Sequence, residues 1–248
     1  MVAVDNLSLQ LYTVRSKLDE DFDATMARIA EIGYRLVEPF GLVGMAPKLA
    51  EALPKYGLAA PTTHAGLLRE DHTEIFETAQ RLGVTTVIDP HVDPARWQTA
   101  EDIRATAEAL NKAAAEAADY GITVGYHNHH FELESWIDGR HGLEILADHL
   151  APEVILEVDT YWAQVGGADV PALLGRLGDR VKALHVKDGD GTLDNKAQVA
   201  VGAGTIAVAD ILAAAPTALR VVELDDFTGE IFDAVAGSFT YLTSGGAA

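Results

Sequence analysis

Residues 153–188 read EVILEVDTYWAQVGGADVPALLGRLGDRVKALHVKD. A short apolar run ends on Asp159, a helical pattern covers about 169–177, and a second apolar run ends on His185, Lys187 and Asp188. Strand, helix, strand within this length is the repeating unit of a parallel sheet. Both runs begin apolar and finish polar, so whatever chemistry the chain carries collects at the carboxyl ends of its strands.

The same unit repeats in both directions. Strand-like runs occupy 7–11 (LSLQL), 35–40 (RLVEPF), 58–64 (LAAPTTH), 84–90 (VTTVIDP), 122–130 (ITVGYHNHH), 153–159, 181–188 and 219–226 (LRVVELDD). Helical patterns follow at 21–32, about 46–56, 71–82, about 99–120, about 141–150, about 169–177, about 206–215 and about 229–242. In the first of these, Phe22, Met26, Ile29 and Ile32 recur at three- and four-residue spacing, the stripe of an amphipathic helix. Gly33, Gly57, Gly83 and Gly121 stand where helices stop, the usual left-handed terminator. Eight such units in 248 residues fit a single (β/α)₈ TIM barrel. A doubly wound sheet would carry a glycine-rich phosphate loop after its first strand, and LQLYTVRSKLDED contains no glycine. The expectation is one barrel domain over 1–248, with frayed ends of about 1–5 and 244–248.

Composition narrows the function. Eighteen Lys and Arg against 38 Asp and Glu leave a net charge of −20, and there is no cysteine. Nucleic-acid backbones and anionic membranes need a basic surface, so neither is an expected partner. No disulfide, thiolate ligand or thiol nucleophile is available. No secretory pattern or membrane-length apolar run is evident, so the cytoplasm is the expected location. Charge and composition name no substrate, and a homo-oligomer or a partner subunit is left open.

Polar residues gather at the strand ends: Glu38, His64, Asp89 with His91, His127 with His129, Asp159, His185 with Lys187, and Glu223 with Asp225. In a barrel these ends converge on one mouth, and carboxylates crowded there need a compensating cation. Alternate residues of a strand face alike. His127 and His129 therefore share a face with Gly125, Asp159 with Glu157, His185 with Lys187, and Glu223 with Asp225. A His–Asp–His–Glu set from strands 5 to 8 is a mixed nitrogen and oxygen site. It suits a divalent ion, with Mn²⁺ the first choice and Co²⁺, Zn²⁺, Fe²⁺ or Mg²⁺ as alternatives. Either His127 or His129 supplies strand 5. Such a centre polarises a carbonyl, and a base among Glu223, His129 and Lys187 removes the neighbouring proton. A metal near Lys187 would depress its pKa; the plainer reading pairs it with Glu157 or Asp188. Glu38 and His64 are candidate substrate hydrogen-bonders, and Trp162, Tyr161, Tyr12 and Phe40 candidate walls. Tyr126 and Asn128 point away from the mouth by parity. The GAG of 202–204 reads as a tight turn, since the lysine and hydroxyl of a phosphate loop are missing. Few basic residues lie near the strand ends, so no phosphate clamp is expected.

The segments SLQLYTVR, IGYRLVEPFG, YHNHHFE, LEVDTYW, LHVKDGD, VGAGTIAVADIL and VVELDD resemble the sugar phosphate isomerase/epimerase group of xylose-isomerase-like barrels, over residues 7–242. That group includes ketose 3-epimerases, inosose dehydratases and endonuclease IV. The resemblance implies that Asp159, His185 and Glu223 are metal ligands, with Glu223 also a base, and that Glu132 meets the substrate. Where the epimerases carry a ligand Glu on strand 5, this chain has YHNHH; His127 is the first substitute and His129 the next. Trp162 replaces a histidine of the epimerases and endonuclease IV, and with the −20 charge this argues against a DNA-cleaving role. The implied function is a metal-dependent sugar or keto-sugar isomerase/epimerase working through an enediolate. The alternative is a lyase that β-eliminates from a 3-oxo-glycoside or inosose, including glycoside-bond cleavage.

Overall fold

The computed structural model describes residues 2–69 and 71–245. Among them, eight parallel strands form one sheet: β1 (Leu7–Gln10), β2 (Leu36–Glu38), β3 (Thr62–His64), β4 (Thr86–Asp89), β5 (Thr123–His127), β6 (Ile155–Asp159), β7 (Val181–Val186) and β8 (Leu219–Val222). The pairing order is β2-β1-β8-β7-β6-β5-β4-β3. Bridges at Leu36–Ala59 and Phe40–His64 join β2 to β3 and complete the circle, as expected of a TIM barrel. The outer ring consists of α1 (Phe22–Ile32), α2 (Leu42–Tyr56), α3 (His72–Leu82), α4 (Ala100–Ala117), α5 (Gly142–His149), α6 (Val170–Leu177), α7 (Val208–Ala214) and α8 (Ile231–Ser244). No helix among the described residues is long and apolar enough to cross a membrane.

Local signals start and stop these helices where the sequence indicates. Asp21 caps α1 by accepting from the Ala24 N–H at 3.0 Å, and Asp71 caps α3 through the Thr73 N–H at 2.8 Å. Gly57, Gly83 and Gly121 adopt φ of 64°, 73° and 68°, a conformation that costs glycine little. Helix α2 begins four residues before the expected 46, because Leu42 and Leu49 face the core and outweigh Pro47 inside the helix. Of the expected frayed ends, 246–248 and Met1 lie outside the described residues; Val2 donates its N–H to Leu242 O at 2.9 Å.

Three details of the barrel wall place the site. A register shift on β7 skips Lys182, so that Leu156 pairs with Val181 but Glu157 with Ala183 and Asp159 with His185. Without the shift Asp159 would lie beside Leu184, which faces the helices. A one-residue slip inverts every side chain, so this irregularity keeps Asp159 and His185 both inside. Beyond the end of β5, the Asn128 amide continues the ladder. Its Oδ1 accepts from the Asp159 N–H at 3.1 Å and its Nδ2 donates to Asp159 O at 3.3 Å, which is why parity turns it from the mouth. Gly125 leaves room for the barrel filling: a Cβ there would lie 2.8 Å from Ile155 Cδ1.

The loop after β7 folds on Asp188. Its carboxylate accepts the N–H groups of Gly189, Gly202, Gly204 and Ile206 at 2.8–3.1 Å. The GAG segment is thus a turn clasped by a carboxylate, and a Cβ at Gly204 would collide with Asp188 and the Gly189 backbone.

Candidate functional site

Inside the carboxyl end of the barrel, His64, His127, Glu157 and His185 form one group of donors, and His127, Asp159, His185 and Glu223 a second. Within each group the donor atoms lie within 4.8 Å of one another. His185, fully buried, joins the two: Nδ1 lies 2.8 Å from Glu223 Oε2, and Nε2 lies 2.8 Å from Glu38 Oε1 and 3.1 Å from Glu157 Oε2. Asp159 divides its carboxylate. Oδ1 caps the short helix Thr160–Val165 by accepting the Trp162 N–H at 2.9 Å, which leaves Oδ2 for the site.

Lys187 is the cation of this cluster. Its Nζ lies 2.7 Å from Glu223, 2.8 Å from Asp225 and 2.9 Å from Asp159. Burial opposes its charge, but the three carboxylates outweigh burial and hold the pKa well above the usual lysine range. The expected ion-pair partners, Glu157 and Asp188, are replaced by Asp159, Glu223 and Asp225, because these three carboxylates surround the Nζ. For Glu223, Lys187 and His185 overcome burial and keep the carboxyl well below its ordinary value. For His185, Glu157 and Glu223 overcome burial and favour the cation. Asp159 is pushed up by burial to about 6, with Lys187 and His185 opposing. His127 is driven down to about 3 and His129 to about 2, in both cases chiefly by burial, then by a neighbouring imidazole.

Above the cluster opens a cavity of about 570 Å³, a size suited to a small ligand. Glu223 and Asp225 form one wall, His64, His91, His127, His129 and His130 the other, and Tyr12, Phe40, Trp162 and Leu193 add apolar surface. A pattern describing the xylose isomerase-like TIM barrel matches residues 26–218. The chain belongs to that family. It is 24% identical over 192 residues to an inosose dehydratase from Geobacillus kaustophilus (strain HTA426); the match covers 67% of this chain and 61% of that protein, so the chain spans about three fifths of the relative's length. A solved sugar phosphate isomerase/epimerase from Parabacteroides distasonis ATCC 8503 superposes with a TM-score of 0.81 at 22% identity, covering 99% of this chain and 96% of that one. The IOLI protein, solved with a binding zinc atom, gives 0.73 at 17% identity, with 96% and 98% covered. These structures share the fold.

In this xylose isomerase-like barrel the expected residues separate by depth. His64, His127, His129, Trp162 and Glu223 line the cavity; Asp159, His185 and Lys187 are buried behind them. Glu38 does not reach the cavity. It accepts from Gln10 Nε2 at 2.8 Å and from Thr62 Oγ1, and contacts His185, so both oxygens are occupied beneath the floor and it is not placed to bind substrate. Glu132 is likewise buried, on the one-turn helix Phe131–Glu134. Tyr161 donates to Thr192 O at 2.9 Å, away from the cavity. Glu157, which parity puts on the inward face with Asp159 two residues later, joins the lower donor group, a site role not among those expected from the sequence. Asp89 anchors loops, accepting from Leu68 and His91 N–H groups.

Glu132 gives a pH test. Tyr126 OH donates to Oε1 at 2.5 Å and the His129 N–H to Oε2 at 2.8 Å, yet burial outweighs both and lifts the carboxyl from 4.5 to about 8. The folded chain then holds this proton more tightly than the unfolded one. Between those values its stability falls as pH rises. Glu132→Gln cannot ionise and removes that slope. In thermal melts from pH 5 to 8, the variant gains on the wild type as pH increases; parallel curves would show that Glu132 titrates normally.

Proposed function

We propose that this barrel is a divalent-metal-dependent enzyme that removes a proton beside the carbonyl of an unphosphorylated sugar or keto-sugar, giving isomerisation or epimerisation. One observation carries the reading: His127, Asp159, His185 and Glu223, from four neighbouring strands, converge their donors at the base of the cavity. The residues suit an ion. Asp159 Oδ2 is buried and makes no hydrogen bond, lying 2.9 Å from Lys187 out of alignment, and two imidazoles with two carboxylates favour Mn²⁺, Zn²⁺ or a similar cation. Bound there, the ion supplies Lewis acidity that polarises a carbonyl.

The chain's own side chains supply the rest. Glu223, kept ionised on the cavity wall, accepts the proton. Lys187 stands behind it and maintains that charge. His129 stays neutral opposite and accepts hydrogen bonds from sugar hydroxyls, while His64 and Trp162 bound the ring. The substrate is a small carbohydrate, met in the cytoplasm.

A second reading, β-elimination from a 3-oxo-glycoside or inosose, is favoured by the one-sided wall. The carboxylates lining the cavity lie on or just beyond β8 and the imidazoles face them, so no pair of carboxylates brackets the substrate as a two-base epimerisation would use. The inosose dehydratase relative supports it. The Mn²⁺-loaded protein, incubated in D₂O with aldoses, ketoses and 3-oxo-glucosides, separates the two readings by NMR. Deuterium beside the carbonyl with the skeleton intact is the expected isomerase outcome. A released leaving group assigns the lyase. Neither exchange nor product across the panel overturns both.

A further inference from the structure

We infer that Glu157 is a positioning residue that sets the tautomers of two metal ligands at once. The inference rests on the metal-centre reading above. Glu157 is fully buried on β6, below the cavity floor. A single oxygen, Oε2, lies 2.7 Å from His64 Nε2, 3.1 Å from His127 Nδ1 and 3.1 Å from His185 Nε2. The other nitrogens of the two shared rings face upward. His127 Nε2 is 3.8 Å from Asp159 Oδ2, and His185 Nδ1 is 2.8 Å from Glu223 Oε2.

A neutral imidazole has one N–H and one lone pair, and only the lone pair ligates. A carboxylate takes the N–H. Glu157 therefore holds His127 with its proton on Nδ1, and with an ion on the Nδ1 side of His185 that ring keeps its one proton on Nε2, between Glu38 at 2.8 Å and Glu157 at 3.1 Å. These are opposite tautomers, and each leaves its lone pair directed at Asp159 and Glu223. Glu38 reinforces the second, lying 2.8 Å from His185 Nε2 while Gln10 and Thr62 hold it in place. Carboxylates behind ligating histidines orient them and raise their basicity; here one serves two ligands from different strands through different ring nitrogens.

The lower donors could themselves hold an ion, since His64, His127, Glu157 and His185 also lie within 4.8 Å of one another. That arrangement would need the lone pairs of His127 Nδ1 and His185 Nε2 directed downward, the reverse of the tautomers inferred. The two placements are therefore distinguishable by which nitrogens carry protons.

Long-range ¹H–¹⁵N spectra of the Zn²⁺-loaded full chain, labelled in histidine, read those nitrogens directly. The expected result is His127 protonated at Nδ1 and His185 at Nε2. The reverse assignment at either ring overturns the inference and leaves a metal protein with the lower placement. Zn²⁺ affinity of two variants adds a second readout. Glu157→Leu removes the acceptor and should weaken binding about 10–100-fold, with mixed tautomers; Glu157→Gln keeps an oxygen in place and should recover most of the affinity. A Leu variant that binds Zn²⁺ as the wild type does would sink the proposal. If that variant does not fold, the wild-type and Gln spectra decide. A wild type that retains neither Zn²⁺ nor Mn²⁺ fails before any variant is made, and the metal reading falls with the inference.

Discussion

Replacing His185 by Ala abolishes retention of a divalent ion through dialysis and takes turnover to background. His185 is the one imidazole in contact with Glu38, Glu157 and Glu223 together, all within 3.1 Å. Its removal takes a nitrogen from the proposed ligand set. It also leaves three buried carboxylates facing a void, and stranding buried charge costs on the order of 3–5 kcal/mol. The measurement is metal content after dialysis, beside thermal melts with and without Mn²⁺ or Zn²⁺. In the wild type the cation raises Tm, because it binds only the folded chain; in the variant that increment disappears. A variant that keeps one ion per chain would place the metal elsewhere and dismantle the assigned centre. His185→Gln, which keeps polar atoms in the space, guards against reading a folding failure as a loss of binding.

Lys187→Met is the second large effect. The ammonium lies within 2.9 Å of Asp159, Glu223 and Asp225. Without it the metal-free chain loses about 3–5 kcal/mol, the cost of breaking a buried charge pair from one side. Added Mn²⁺ recovers part of that loss by giving the same carboxylates another positive partner. Turnover falls by the roughly 10²–10⁴-fold that general acid–base groups contribute, because Glu223 loses the nearest cation that holds it ionised and in place. Losing a neighbouring cation raises a carboxyl pKa, so the acid limb of the pH–rate profile moves to higher pH. An unshifted limb with a near-normal rate would reduce Lys187 to a structural counterion.

How far the sequence reaches is visible strand by strand. The repeated unit, the glycine stops and the polar strand ends lead to the barrel, since these are local signals that the tertiary structure reinforces. Parity brings His127, Asp159, His185 and Glu223 to one side and turns Asn128 away. Parity tells which side a residue faces and nothing about its height. Glu38, Glu157 and Lys187 all point inward but lie below or behind the cavity, and that depth depends on strand tilt and on the register shift at Lys182, which the sequence does not display. Glu132 was obscured differently. The chain after His129 turns into the one-turn helix Phe131–Glu134 and then a small ribbon pairing Trp136–Ile137 with Arg140–His141. The Asp138-Gly139 turn is a readable hairpin signal for that ribbon, but the contact of Glu132 with Tyr126 is made by the preceding one-turn helix, which no such signal marks.

The short helix hung on Asp159 makes the protein its own optical probe. One carboxylate oxygen caps that helix through the Trp162 N–H, and the indole stands in the cavity wall with the Lys187 ammonium 5.6 Å from its ring. A change of charge at the donor cluster, or a sugar entering the cavity, alters the surroundings of this fluorophore. The chain has three tryptophans. Trp97 is sealed beside Tyr126, and Trp136 is 61% exposed against His141, so both supply a steady background. The emission lost in Trp162→Phe then isolates the indole that reports occupancy, giving a label-free titration of cations and sugars before any product is known.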